Sequence, residues 1–246
     1  MKIAAEHKPF AQVNEEFREA IKHHKVIDIE DARGQKYLAI GAKHGVTVNI
    51  YGTPGNDMAA FLSGAKVEVF GNAQDQVGNT MDGGEIIIHG RVGDAAGYAM
   101  RDGVIFAKNE CGYRCGIHMK EYRAKKPVIV IGGGAGSFLG EYMAGGTIVL
   151  LGIGCDIENG AMGYCCGTGI HGGRMYIRGA APPHKLSREC CVCECDADDM
   201  QAIAKYVKRY CEYFGADFDE IMKAPFKKIV AASSRPYNNI YCSNKA

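Results

Sequence analysis

The sequence predicts an all-β fold, a parallel β-solenoid of about six to seven coils with a helical cap at each end. Three observations lead there: short β-prone runs recurring at a fixed interval, glycines closing each run, and a methionine at one place in most units.

The runs are TVNIYG from Thr47, KVEVFG from Lys66, EIIIHG from Glu85, VIFAKN from Val104, VIVIGG from Val128, TIVLLG from Thr147 and RMYIRG from Arg174. The first four starts are 19 residues apart, as are Val128 and Thr147. The intervals ending at Val128 and Arg174 are 24 and 27, so two units carry insertions of five and eight residues. Glycine closes every run except the fourth, where Asn109 stands. A second glycine follows at Gly78, Gly97, Gly116 and Gly140. Leu62, Met81, Met100, Met119, Met143 and Met162 all stand fifteen residues after a start. No unit holds the ten or more residues of 3.6-residue period that helical repeats require. Glycine suits corners where neighbouring coils approach closely. Equivalent side chains should stack, with the methionines as an internal ladder filling an irregular interior.

The ends read differently. The first 45 residues form an N-terminal cap, residues 46–180 the coils, and residues 181–246 a C-terminal helix and extended tail, all in one domain. NEEFREAIKHH reads as a short helix capped by Asn14, with VIDIE and QKYLAI as strands. DADDMQAIAKYVKRYCEYFG reads as a helix capped by Asp196 and ended by Gly215. The tail through SSRPYNNIY reads as extended along the body.

Composition narrows the function classes. A net charge of +1 and the lack of a basic run speak against nucleic acid. No apolar run approaches the length of a spanning helix, and MKIAAEHKPFAQ has no export h-region, so a cytoplasmic protein without membrane contact is expected. The 11 cysteines then point to free thiols in a reducing compartment. The 33 glycines are about twice the ordinary share. A homo-oligomer stays open.

Quoted in order, TPGNDMAAFLSG, GNAQDQVGNTMDGG, CGYRCGIHMKEY, GSFLGEYMAGG and TGIHGG resemble the glycine-motif (GXGXG) domain that ends the large subunit of glutamate synthase. The stand-alone archaeal-type version is matched over nearly the whole chain, and a formylmethanofuran dehydrogenase subunit more distantly. The resemblance implies a right-handed β-helix that holds other parts together. It implies a non-catalytic scaffold in a glutamate synthase-like complex, forming glutamate from glutamine and 2-oxoglutarate. The partners implied are separate amidotransferase and flavoprotein chains, with FMN and an iron–sulfur cluster on them and no cofactor on this chain. Lys2 follows Met1, so the cysteine nucleophile of the amidotransferase domain has no counterpart here. No catalytic residue is carried over.

Several residues could still carry chemistry. CCVCEC places Cys190, Cys191, Cys193 and Cys195 together, but the spacing matches neither C-x2-C pairs nor ferredoxin runs. An extended chain would put Cys191, Cys193 and Cys195 on one face; otherwise they are reduced thiols beside the helix. Asn56, Asp75, Asp94, Tyr113, Ser137 and Asp156 stand nine residues after successive starts. Asp75 and Asp94 then fall on adjacent coils, at about the separation retaining glycosidases use. That allows a rival reading as an independent carbohydrate-active β-helix. The structural reading makes them corner aspartates accepting backbone N–H groups. IGGGAGSF lacks the strand-to-helix context of a dinucleotide loop.

Overall fold

The computed structural model describes residues 1–233. Its strands are β1 (Lys2–Ala4), β2 (Val26–Arg33), β3 (Thr47–Thr53), β4 (Lys66–Phe70), β5 (Asp82–Ile88) and β6 (Asp102–Ala107). They continue with β7 (Val128–Ile131), β8 (Ala144–Leu150), β9 (Gly172–Arg178), β10 (Cys190–Glu194) and β11 (Phe226–Ala231). The helices are α1 (Phe10–Ala20), α2 (Ala197–Phe214) and α3 (Phe218–Lys223). All the strands join one sheet, in the order β1 to β9, then β11 and β10.

This is a parallel β-solenoid. Thr47 pairs with Lys66, Lys66 with Glu85, Glu85 with Val104, Val104 with Val128, Val128 with Thr147 and Thr147 with Arg174. Every run start read from the sequence lies opposite the next. Alternation sorts the side chains: Ile86, Ile105, Ile129, Ile148 and Met175 point into the coil. Ile87, Phe106, Val130, Val149 and Tyr176 point outward, into a second apolar cluster with α2.

The half of each coil between strands is also bonded to its neighbours. In the coil that starts at Lys66, Gln76, Gly78 and Thr80 have φ of 59°, 67° and 53°. Gln76 and Thr80 donate their N–H groups forward to Asp94 O and Tyr98 O, each 2.8 Å, while Gly78 donates back to Met58 O at 2.9 Å. Left-handed residues at alternate positions thus turn successive N–H groups to opposite coils. Each non-glycine residue pays roughly 1–2 kcal/mol for that conformation, offset by the hydrogen bonds gained. The central position needs glycine for space as well. A Cβ at Gly116 would stand 2.6 Å from Ile148 Cδ1, within the inner isoleucine ladder.

The methionine ladder is internal: Leu62, Met81, Met100, Met119 and Met143 are fully buried. Its last rung differs from the expectation. Met162 is buried but bridges to Ala135, so it continues the ladder Ala73, Val92, Cys111, Ala135. Ile170 takes the methionine place: its N–H bonds Gly167 O at 3.0 Å, as Met143 bonds Gly140 O. The eight-residue insertion explains the shift, because it leaves the coil before Met162, so that Met162 takes the place eight residues earlier in the unit. Asp156 likewise sits in that insertion, where its carboxylate caps the short turn Ile157–Asn159.

The N-terminal segment corrects three expectations. QKYLAI is a corner, not a strand, with Tyr37 and Ala39 at φ 62° and 57°. The solenoid begins earlier than its regular spacing, since Val26 in β2 already pairs with Thr47. Asn14 is no helix cap. α1 starts four residues before it at Phe10, and Asn14 is buried, donating to Phe10 O and Lys36 O at 2.9 Å each. Val13 and Phe17 of α1 lie in the interior cluster beside Ile27 and Ile29, closing the first coil.

The far end is covered by strands. β11 pairs antiparallel with β9, and β10 with β11. Helix α2 lies across the outer face instead of over the open end. Its capping box at Asp196 and Asp199 and its left-handed Gly215 match the sequence reading. The tail expected to be extended after Gly215 instead holds the short helix α3 before β11, and the part of that reading from residue 234 onward lies outside the described residues.

Met100 sits mid-ladder, so Met100→Ala is expected to cost about 2–5 kcal/mol in urea unfolding. Met100→Leu should stay under about 1.5 kcal/mol. A silent alanine substitution would put this side chain outside the core.

Candidate functional site

The outer surfaces of the coils carry four groups of side chains with chemical interest. The first is the aspartate column. Asp75 Oδ1 accepts the Asp94 N–H at 2.9 Å, and Asp94 Oδ1 accepts the Tyr113 N–H at 2.8 Å. Ser137 Oγ repeats the pattern with Tyr164 N, 3.1 Å. Each side chain fastens the backbone of the coil after it. The column passes directly over Gly93, where a Cβ would collide with the Asp75 carboxylate. This is the arrangement of corner aspartates. Both carboxylates are engaged in holding coils together, and neither faces the other across a cleft.

The cysteines separate. Cys190, Cys191 and Cys193 lie on β10, opposite Ala231, Val230 and Lys228 of β11. The Cys190 thiol turns inward and donates to Cys166 O at 3.4 Å. Burial, with the Glu189 charge nearby, pushes its pKa up to about 12. Cys191 and Cys193 are exposed, whereas Cys195 packs beside α2. Burial, then the Asp199 charge, raises Cys195 to about 11. Cys115 is held protonated by its hydrogen bond with Cys111 and by burial, and Cys166 by burial. Such thiols are poor nucleophiles and poor metal ligands, since both roles need the thiolate. Among the described residues no three His, Cys, Asp or Glu side chains are grouped to hold a metal ion.

The third group was hidden in the repeat. Tyr51, Phe70 and His89 stand at one register on consecutive coils and stack, with ring centroids 4.8 and 4.9 Å apart and planes within 12°. His89 also bonds Glu68 at 2.9 Å, and its ring meets Phe214 edge-on. Burial works against the Glu68 charge, but His89 and Lys66 hold its pKa below the ordinary carboxylate value. A 19-residue interval between aromatic residues was the sequence signal. The fourth group surrounds the five-residue insertion: His118 and Lys120 of the coil lie with Tyr122, Lys125 and the preceding coil's Arg101 about one space at the corner.

One polar knot holds the outer helix. Asp199, 4% exposed, accepts from the Tyr176 hydroxyl at 2.7 Å and pairs with Lys228. Burial alone would raise its pKa; the Lys228 and Tyr176 hydrogen bonds and the Asp196 backbone lower it to about 2. At the other end of α2, Arg209 and Tyr213 both bind Glu85.

Two outcomes test these roles. Asp94→Ala deletes an inter-coil acceptor and should cost about 1 kcal/mol, whereas Asp94→Asn keeps it and should cost less than about 0.5. Equal losses in urea unfolding would show that charge, not acceptance, matters. The depressed Asp199 pKa makes its stabilisation complete above about pH 4 and lost as pH falls through about 2. Hydrogen exchange should therefore show α2 opening ahead of the coils on acidification. In Asp199→Ala that difference should already exist at pH 7.

The residues that shape the coils also identify them. The family model described as GXGXG motif matches residues 20–234. The chain is 43% identical over 249 residues to "Uncharacterized protein MJ1350" of Methanocaldococcus jannaschii, covering 97% of this chain and 95% of that one. With glycine corners, coil register and family model in agreement, this chain belongs to the GXGXG motif family.

Proposed function

We propose that this protein is a non-catalytic scaffold subunit of a glutamate synthase-like complex. The observation that carries the reading is the GXGXG match over residues 20–234, which takes in almost all of the solenoid. The domain family suggests a glutamate synthase-related role. In this reading separate amidotransferase and flavoprotein chains, the latter with FMN and an iron–sulfur cluster, make glutamate from glutamine and 2-oxoglutarate in the cytoplasm. This chain gives them a fixed spacing.

The geometry supports a passive part. The groups that looked chemical in the sequence serve the architecture: Asp75 and Asp94 bond backbone, and Cys190 is turned inward. A sheet bonded from β1 through β10 is stiff along its length, as a spacer should be. No helix among the described residues is long and apolar enough to cross a membrane.

Affinity purification of the tagged chain from its native cell tests the reading. The expected result is co-purification with a flavoprotein and an amidotransferase chain, together with glutamine-dependent glutamate formation from 2-oxoglutarate that is lost when this chain is removed. Recovery of the chain alone, with cleavage of a polyuronide abolished by Asp94→Asn, would overturn it in favour of a carbohydrate-active β-helix.

A further inference from the structure

The five-residue insertion overhangs a groove in which two cations of the coils carry no partner among the described residues. Tyr122 and Lys125 exchange both backbone hydrogen bonds at 3.0 Å, closing a tight turn with Arg123 at φ 56°. The turn overhangs the coil corner, and Asp82, Arg101, His118, Lys120, Tyr122 and Lys125 line the space beneath it. The groove encloses about 530 Å³, within the roughly 300–1,000 Å³ of small-ligand sites.

Its cations are unequally engaged. Lys125 pairs with Asp82 at 2.6 Å. Among the described residues, the side chains of Arg101 and Lys120 make neither an ion pair nor a hydrogen bond. They occupy the same register on consecutive coils: Arg101 N bonds Met81 O at 2.8 Å and Lys120 N bonds Met100 O at 3.0 Å. Their backbones are therefore about 5 Å apart, the spacing of adjacent strands. Like charges directly opposite one another destabilise a sheet, and an anion between them reverses the sign. His118 stands beside them with its ring stacked on Tyr142, centroids 5.2 Å apart, so it is held in place at the groove wall.

We propose that this groove binds a small phosphomonoester. Arg101 supplies a fork that fits two phosphate oxygens, and Lys120 a point charge to the same dianionic head. The organic body lies along Ala99 and the exposed Tyr122 ring. A dicarboxylate is the poorer fit. It carries its two charges at opposite ends of a carbon chain, whereas these two cations line one groove from neighbouring rungs. The site is independent of the scaffold reading, because it requires no partner chain.

Calorimetric titration of the full chain at fixed ionic strength tests it, with glycerol 3-phosphate, inorganic phosphate and succinate as probes. Glycerol 3-phosphate is expected to bind one per chain, more tightly than phosphate and much more tightly than succinate. Arg101→Gln and Lys120→Gln should each weaken it tenfold or more, and Lys120→Arg should retain most of the affinity. Inorganic phosphate binding as tightly as the ester would overturn the place given to the organic body. Succinate binding more tightly than either would overturn the phosphate assignment. Absence of saturable binding, or equal binding by the Arg101→Gln variant, would overturn the site itself. Both side chains are exposed, so the variants should fold and their unliganded melting temperatures should hold or rise. A fall in melting temperature would show that the solenoid uses these charges internally, which also overturns the proposal.

Discussion

Everything in this molecule depends on hydrogen bonding between coils. A single coil buries little and bonds to itself only through tight turns in its corner, so it has no stable conformation alone. Apart from tight-turn bonds inside the corners, such as Met81 N to Gly78 O, its backbone groups are satisfied by the coil before it and the coil after it. In strands this is the ordinary parallel ladder. In the corners it requires left-handed residues at alternate positions, as at Gln76, Gly78 and Thr80. That requirement explains the glycine content better than flexibility does. It also explains why alanine, threonine and histidine accept positive φ at Ala99, Thr80 and His118: there the alternative is an unpaired backbone N–H.

The same constraint decides where the repeat can be broken. An insertion must leave and rejoin the stack at a corner without disturbing the rungs on either side. The five residues near Tyr122 do so by a closed turn, which leaves Met119 and Met143 in register. The eight residues before Met162 bulge out and rejoin in register, so Met162 packs where the preceding coil has Ala135. Loops on a solenoid are thus free to carry chemistry, because the ladder takes no part in their conformation. The cationic groove near Tyr122 is roofed by one of them, over Arg101 and Lys120 of the coils beneath.

The strands, their register and the inside of the coils were legible because ladders repeat one residue type at one interval. Legibility failed where a residue answers to a unique neighbour. QKYLAI has strand-like content, yet its place opposite the corner of the next coil imposes positive φ. Asn14 has the chemistry of a helix cap, but Lys36 O gives it a buried partner and the helix starts earlier. The cysteine run was legible in part, since an extended chain was expected there and β10 is extended. Its pairing with β11 sends Cys190 inward and leaves Cys191 and Cys193 exposed. The aspartate column was read correctly in one of its two forms, since a 19-residue interval allows both a bonded ladder and a catalytic pair. Only the positions of Asp94 N and Tyr113 N separate them.

Helix α2 was expected at the end of the stack and lies along its side, and this changes how the solenoid should behave. In a bare solenoid each coil senses only its neighbours, so coils can open one at a time from an end. Here the outward row from Ile87 to Tyr176 is apolar on five consecutive strands and must be covered. α2 covers it and is tied at both ends, to Glu85 on β5 and to Tyr176 on β9. Its Tyr210 hydroxyl also bonds Lys108 O at 2.7 Å, midway between them. Opening any one of these coils then exposes part of a surface shared by all five. The strap converts a nearest-neighbour array into a cooperative block. The outward faces of β3 and β4 carry Asn49 and Glu68 in place of that apolar row, and α2 reaches β4 only at its end, where Lys66 lies over the Tyr213 ring. Stability should therefore be lowest towards β3 and β4, where the stack relies on its rungs and on the α1 plug.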